Sequence, residues 1–418
     1  MSQNNVSPRS TVTLSHVEGN LSVGEDATVK GSGTPPKVVV SGTVHCHGDC
    51  VFDCSLDADD FEGEGGYIVV KGDLHVKGRV EMSNGFGWTH GDSMLTVEGK
   101  LTALKVDIDN RLSVGRELEA ETVEVGGSLE IRGSTKAETI DVGGSFATMG
   151  EVTAKSIDVS GSFKAESKVN VEKLDIGGTA KVKGGKIVSV DVGGSFESAD
   201  SLEFTSIDVG GTVRLAGKSS GGDIDVGGSC KVEGDLKFKS IDVGGVVEIT
   251  GSAEGEELEV GGKLQVGGNL KLSEELEVGG IASIGGELNV QSVEVGGRLS
   301  ARKVTATDKV EVGGSIETVE GTYASFVEIG RRGEVKGLIK ADEVVIGERA
   351  RVEDIYANKI TLEEEARARN LYAARIRLES NCHIYGKVLY TESMETEHGV
   401  TFAETPQKAS KLPESLTA

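Results

Sequence analysis

The densest group of residues able to bind a metal lies near the N-terminus. It contains His45, Cys46, His47, Cys50 and Cys54. Zinc and iron–sulfur clusters use thiolate and imidazole ligands, and three or four of them must converge. The Cys-x3-Cys-x3-Cys spacing matches no standard zinc pattern. On a β-strand, Cys50 and Cys54 would instead share one face, where free cysteine packs as a small hydrophobe. The sequence therefore leaves two interpretations of this cluster, a metal site and core packing.

Only the region of residues 45–95 is expected to be able to host an active site. No histidine lies between His90 and His383, so most of the chain lacks the commonest general base. Within residues 45–95, the side chains that could build an active site are His45, His47, His75, Trp88 and His90. Because the rest of the chain leaves little room for catalytic loops, we predict that the protein is not an enzyme and carries no cofactor.

The elements that must position these residues are short and repeated. Residues 123–127 read Val-Glu-Val-Gly-Gly, and residues 140–144 read Ile-Asp-Val-Gly-Gly. From Gly126 to Gly330 the first glycine of this phrase, or its equivalent, recurs over 204 residues in 12 steps, an average of 17. A fixed period of this kind indicates stacked units that share one core.

The pattern inside each unit predicts β-strands. Helical repeats need about 33 to 47 residues, so a period of 17 is too short for them. An aliphatic–acid–aliphatic triplet alternates with period 2, which places the acid outside and the aliphatic residues inside. We expect the glycines to form corners because glycine accepts positive φ. No proline occurs from 37 to 405, as expected if nearly every backbone N–H is paired. The predicted fold is an all-β parallel β-helix (β-solenoid) with coils of about 17 residues.

Five segments are predicted along the chain. Residues 1–12 are expected to be a disordered tail, 13–95 an irregular β-helical region with insertions, and 96–335 the regular array. Residues 336–402 are expected to form C-terminal coils rich in Arg and Tyr, and 403–418 a second tail. Residues 363–378 favour helix locally, but their spacing of 16 to 17 residues favours a coil.

The outward acid of the triplet recurs in 14 successive coils. We call this set the acidic column: Asp107, Glu124, Asp141, Asp158, Asp175, Asp191, Asp208, Asp225, Asp242, Glu259, Glu277, Glu294, Glu311 and Glu328. These carboxylates are predicted to lie one strand spacing apart, about 4.8 Å. They form a strip that binds cations or a basic partner, or a strip that keeps rods from pairing side by side, or simply a solvated face.

The charge on the predicted surface becomes positive in the C-terminal coils. Arg351 and Arg367 lie one coil apart, as do Tyr356 and Tyr372, which we expect to stack. This surface could dock on an anionic surface or on another copy, or it could only balance charge on its face. The surface near the last apolar residues is our candidate for an assembly contact, namely Tyr385, Tyr390 and Phe402.

Composition limits the partners and the location. The 418 residues carry a net charge of −24, which argues against nucleic acid as a partner because phosphate binding needs a basic surface. No stretch approaches the length of a membrane span, although peripheral membrane contact stays open, and the N-terminus lacks an apolar signal region. A cytoplasmic protein whose main partner is itself is predicted.

The tandem Val-Xaa-Val-Gly-Gly coils, with the closing segment from Ala373 through Tyr390, resemble the bactofilins. These are polymer-forming cytoskeletal proteins, and the resemblance covers about residues 96–402. It implies a right-handed β-helix of triangular cross-section that joins end to end into nucleotide-independent filaments and serves as a scaffold. The alternative is a non-polymerising rod that displays residues 13–95 as a ligand- or metal-binding module.

Overall fold

A computed structural model describes residues 3–84 and 93–413 of the chain. It contains two compact units, Met1–Gly210 and Gly211–Ala418. The described residues form no helix; 65% of the structure is strand, arranged as a parallel β-solenoid of about 23 turns with about 17 residues each. The predicted all-β solenoid is therefore confirmed.

The described strands of the first unit are short. They are β1 (Gln3–Val6), β2 (Thr11–Leu14), β3 (His16–Val17), β4 (Asn20–Val23), β5 (Ala27–Gly31), β6 (Lys37–Val40), β7 (Thr43–His47), β8 (Cys50–Asp53), β9 (Ser55–Ala58), β10 (Asp60–Glu64), β11 (Tyr67–Val70), β12 (Leu74–Val76), β13 (Arg79–Ser83), β14 (Met94–Val97), β15 (Leu101–Thr102), β16 (Lys105–Ile108), β17 (Arg111–Val114), β18 (Leu118–Glu119), β19 (Thr122–Val125), β20 (Ser128–Ile131), β21 (Thr135–Lys136), β22 (Thr139–Val142), β23 (Ser145–Thr148), β24 (Val152–Val159), β25 (Ser162–Ala165), β26 (Val169–Ile176), β27 (Thr179–Val182), β28 (Gly185–Val192), β29 (Ser195–Ser198) and β30 (Leu202–Val209).

The second unit follows the same plan. Its described strands are β31 (Thr212–Ala216), β32 (Ser219–Ser220), β33 (Asp223–Val226), β34 (Ser229–Glu233), β35 (Leu236–Lys237), β36 (Ser240–Val243), β37 (Val246–Ile249), β38 (Ala253–Gly255), β39 (Glu257–Val260), β40 (Lys263–Val266), β41 (Leu270–Leu272), β42 (Glu275–Val278), β43 (Ile281–Ile284), β44 (Glu287–Val290), β45 (Ser292–Val295), β46 (Arg298–Ala301), β47 (Lys303–Ala306), β48 (Lys309–Val312), β49 (Ser315–Thr318), β50 (Thr322–Tyr323), β51 (Phe326–Ile329), β52 (Glu334–Lys336), β53 (Leu338–Ile346), β54 (Arg351–Leu362), β55 (Arg367–Leu378), β56 (His383–Ile384), β57 (Val388–Thr396), β58 (Thr401–Phe402) and β59 (Gln407–Lys408).

Each regular coil contributes three strands, so a strand pairs with the one three places along. In the first unit β19 lies between β16 and β22, and Val123 faces Val106 on one side and Ile140 on the other. Where two strands of a coil merge, as in β24 and β26, the pairing is to the second strand along. The pairing is parallel throughout these examples.

Alternation of burial builds the core. In β22 the pattern is exposed, buried, exposed, buried, so Ile140 and Val142 point inward and Asp141 points outward. The inward residues are mostly Val, Ile and Leu, which suit a pleated surface buried on one side. Phenylalanine fills wider places, as where the rings of Phe146 and Phe163 lie 5.1 Å apart in adjacent coils.

The glycine doublets form corners for a reason other than the expected one. None of the doublet glycines has a positive φ. A Cβ on Gly143 would instead lie 2.2 Å from the carbonyl oxygen of Gly126, and one on Gly261 would lie 2.5 Å from that of Gly244. Glycine is therefore used because successive coils approach too closely for a side chain.

Coils near the two ends of the chain use a different corner. There the turn contains a residue in the left-handed conformation that is not glycine, at Arg9, Asp26, Arg332, Arg349, Glu365 and Asn381. Both predicted tails also enter the solenoid. Gln3–Val6 pairs with β4, and Gln407–Lys408 pairs with Leu389 and Tyr390. The expectation of a disordered N-terminal tail over residues 1–12 is thus corrected for the described residues, and part of the predicted C-terminal tail is paired as well.

Candidate functional site

The cysteine and histidine cluster extends from β7 through β8 to Cys54, and its side chains are divided between the core and the surface. In β7, His45 and His47 point outward, and their Nδ1 atoms lie 2.9 Å from Glu62 and 3.5 Å from Glu64. The three cysteines point into the core: Cys46, Cys50 and Cys54 are each at most 2% exposed. The structure therefore does not bring the five predicted ligands together.

Burial accounts for the chemistry of these thiols. It raises the pKa of Cys46 well above its usual value and that of Cys54 to about 11. The pKa of Cys50 is lowered, chiefly because the Cys46 thiol is hydrogen-bonded to it. Among residues 3–84 and 93–413, no group of three or more His, Cys, Asp or Glu side chains is placed to hold a metal ion. The geometry supports the core-packing alternative and gives the metal site no support.

The acidic column forms with the predicted register. In the first unit Asp107 faces Glu124, and the contacts continue one coil at a time to Asp208. In the second unit the same register runs from Asp225 to Glu328, where Val345 ends it. The column also extends upstream through Glu81 and Glu62. Sequence analysis missed these two, although both stand second in a triplet flanked by buried or small residues.

Repulsion within the acidic column is only partly offset by cations. Lys105 bridges Asp107 and Glu124 at 3.2 and 2.9 Å. Farther along, Lys173 pairs with Asp175 at 3.0 Å, and Lys309 pairs with Glu311 at 3.3 Å. Elsewhere the carboxylates perturb one another. The pKa of Asp158 is raised by burial and by its two column neighbours. Neighbouring carboxylates Asp242 and Glu277 are the main reason that the pKa of Glu259 is raised.

One stretch of the second unit carries acidic side chains at most of the outward positions of one face. We call it the acidic strip, and it spans five coils: Asp223, Asp225, Asp242, Glu257, Glu259, Glu275, Glu277 and Glu294. None of these eight side chains forms a salt bridge with any residue that the structure describes. Direct ion pairs therefore leave the charge of the acidic strip exposed to the solvent, although Lys309, which pairs with Glu311, also interacts electrostatically with Glu275 and Glu294.

Four arginines surround a depression in the same unit. We call Arg332, Arg349, Arg351 and Arg367 the basic patch; they line a hollow of about 360 Å³ together with Glu334 and Glu365. Arg351 and Arg367 lie one coil apart as predicted, since they are in register between β54 and β55. Arg349 pairs with Glu365 at 2.9 Å. The other three arginines make no salt bridge within the described chain.

The predicted tyrosine stack is also present. The rings of Tyr356 and Tyr372 lie 4.4 Å apart with an angle of 18° between their planes. Their partial burial raises the pKa of both phenols. Tyr385 is 61% exposed in a turn, whereas Tyr390 and Phe402 are half-buried at the C-terminal edge of the solenoid.

A shallow groove of about 960 Å³ crosses seven coils of the first unit. It lies at a corner where the inward side chains are small, and its floor includes Ala103, Ala120, Ala137 and Ala154. Its rims carry lysine and glutamate in similar numbers. The 17-residue spacing of these alanines was a signal in the sequence that we did not use. His75 stands at one end, and Trp88 and His90 lie outside the described residues.

Comparison with known proteins identifies no relative. No family model matches the chain, and searches of curated proteins and of solved structures also find no match. The described residues form no helix, so they contain no helix that could span a membrane. By its fold, the chain is an all-β solenoid repeat protein, a class whose members present long regular faces.

Proposed function

We propose that this protein is a non-catalytic, bactofilin-like scaffold that assembles end to end into filaments without nucleotide. The observation that carries the proposal is the state of the two terminal coils. Each leaves strand edges and inward side chains without a covering coil among the described residues. Unpaired edges of this kind are templates for another chain. We further propose a cytoplasmic location and no nucleic-acid partner, in keeping with the net charge of −24.

The N-terminal edge is formed by β1, β2 and β3. Each pairs on one side only, with β4, β5 and β6 respectively. Val12 lies in register with Val29, which is fully buried. Val12 itself is only half-buried, because no coil precedes it among the described residues. A preceding coil from another copy would complete its burial.

The C-terminal edge offers the complementary surface. Phe402 lies over Ile384, and Met394 lies over Ile376. The two isoleucines are buried, whereas Phe402 and Met394 remain half-exposed. Burying half an aromatic side chain contributes about 1 kcal/mol, so several such residues support a specific contact. Because both edges are parallel, joining them continues the solenoid from one copy into the next.

Negative-stain microscopy of the purified full chain tests the proposal. We expect filaments in the absence of nucleotide, and we expect Val12→Lys or Phe402→Lys to reduce them to discrete particles. The matched control is Val319→Lys, which adds the same charge at a side chain that is already 86% exposed. Discrete particles from the unmodified chain at all protein concentrations would refute end-to-end assembly.

The alternative function is a non-polymerising rod with a binding face. The groove of the first unit favours it, because a concave surface of about 960 Å³ is large enough for an extended ligand. Only its first coil, at His75 and Lys77, belongs to the predicted 13–95 module. Discrete particles together with saturable ligand binding that Ala137→Trp abolishes would support this alternative.

A further inference from the structure

The second unit carries two surfaces of opposite charge with the same spacing. The acidic strip places carboxylates one coil apart, as Glu259 and Glu277 are in register. The basic patch places Arg351 and Arg367 one coil apart in the same way. Both intervals equal the strand spacing of about 4.8 Å, so the charges of one surface can match those of the other pair by pair.

The basic patch is arranged to attract an anion from outside. Four guanidinium groups and two carboxylates line its hollow, which leaves an excess of positive charge in a chain of net charge −24. Arg332, Arg351 and Arg367 have no salt-bridge partner among the described residues, and all are exposed. The column of Arg367 continues in the next coil with His383.

The acidic strip is the counterpart that this chain itself supplies. Its eight carboxylates lack salt-bridge partners within the described residues, so an external cationic surface would relieve repulsion that direct ion pairs do not offset. Guanidinium groups bind carboxylates with two parallel hydrogen bonds, which suits exposed aspartate and glutamate. Complementary faces of this kind set partner choice and register.

We propose that the basic patch of one copy docks on the acidic strip of a second copy, side by side. This lateral contact goes beyond end-to-end assembly and does not depend on it. Val345 lies five coils along the acidic column from Glu259. Arg351 follows Val345 within the same coil. Neighbouring copies in parallel are therefore offset by about five coils, or about 24 Å.

Because the two surfaces differ, the contact is heterologous. Each docked copy still presents a free basic patch or a free acidic strip, and the association continues instead of closing into a dimer. The two surfaces lie on different strand columns, since Arg351 pairs with Glu334 and Arg367 whereas the acidic column ends at Val345. The staggered arrangement is the one that brings Arg351 and Arg367 opposite the acidic strip.

Charge reversal tests the lateral contact in the full chain. We expect Arg351→Glu with Arg367→Glu to lower the lateral association constant on the order of tenfold or more at low salt. The same loss is expected from Glu259→Lys with Glu277→Lys. Association is measured by sedimentation velocity at several salt concentrations, and particle width by negative-stain microscopy. The milder Arg351→Gln with Arg367→Gln should give a smaller loss.

Mixing the two reversed variants gives the decisive result. Each then presents a surface complementary to the other, so lateral association should return in the mixture. The control is Arg111→Glu with Arg132→Glu, which makes the same change of charge in the first unit and should retain association. The Val12→Lys variant, which should block end-to-end assembly, is expected to shorten the particles without narrowing them. Particle length therefore reports on end-to-end assembly and particle width on the lateral contact, so failure of one proposal can be told from failure of the other.

Three results would overturn the proposal. The first is a mixture that stays dissociated although each variant keeps the circular dichroism and melting of the original chain. The second is an equal loss in the Arg111/Arg132 control. The third is a chain that does not associate laterally at any salt concentration but binds vesicles of anionic phospholipid through its basic patch.

Discussion

The electrostatic cost of the acidic column can be measured at Glu259. Its column neighbours, Asp242 and Glu277, are the main cause of its raised pKa. Two unit charges about 4.8 Å apart repel by about 0.9 kcal/mol in water, and physiological salt reduces this to about 0.5 kcal/mol. Two neighbours together give about 1 kcal/mol, and exposure lets the carboxylates turn apart. We therefore expect Glu259→Gln to stabilise its coil by about 0.5–1 kcal/mol.

A matched substitution in the same column should behave differently. Glu311 also has acidic neighbours, but Lys309 lies 3.3 Å away and offsets them. Glu311→Gln should therefore leave stability unchanged or lower it slightly. Since repeat proteins open locally, hydrogen exchange with mass spectrometry is the suitable assay. The expected slowing around Glu259 is about two- to fivefold, and it should shrink at high salt.

The pH dependence follows from the direction of the shift. Because the pKa of Glu259 is raised on folding, the folded chain binds this proton more readily than the unfolded chain does. The destabilisation is complete at neutral pH and is relieved as the pH falls through the raised pKa of Glu259. Glu259→Gln should lose this local dependence, after correction for the intrinsic exchange rate. Equal effects of Glu259→Gln and Glu311→Gln would refute the reasoning.

Three further predictions concern the corners, the core and the aromatic stack. Gly261→Ala should destabilise the chain by about 1–2 kcal/mol in urea unfolding, because its Cβ would lie 2.5 Å from the oxygen of Gly244; an unchanged midpoint would contradict this. Burial raises the pKa of Cys230 to about 12, so its thiol should resist alkylation near neutral pH until the chain is unfolded, as peptide mass spectrometry can show. Tyr356→Ala should remove the stack on Tyr372 and cost about 1 kcal/mol or more, with loss of near-ultraviolet dichroism.

The fold could be predicted from the sequence because a solenoid is specified by local spacing. The period that relates Glu124 to Asp141 is the same interval that places them in register. The segment with Glu363 and Leu378 shows that spacing outweighs local propensity, since residues 367–378 form β55 despite helix-favouring residues nearby. Each strand packs on the preceding coil, and it therefore adopts the conformation of that coil even where its own residues favour helix.

The features that were not predicted depend on three-dimensional detail. Alternation places His45 and Cys46 on opposite sides of a strand, but it could not show which of them would point into the core, because a shift of one residue in register exchanges the two faces. The role of the doublet glycines was assigned to positive φ, whereas the distance between coils decides it. The hollow of the basic patch also required the left-handed turns at Arg332 and Arg349, which no pattern in the sequence announces.

The near-constant register of the coils has a consequence for how such a protein changes over time. Gly244 and Gly261 occupy the same position in successive coils, as do the strands on either side of them. Recombination between the gene segments that encode two such coils would add or remove a whole turn and leave every remaining pairing as it was. The length of the molecule can therefore vary during evolution without a new fold, and a family of such proteins would differ mainly in the number of coils and hence in the distance they span.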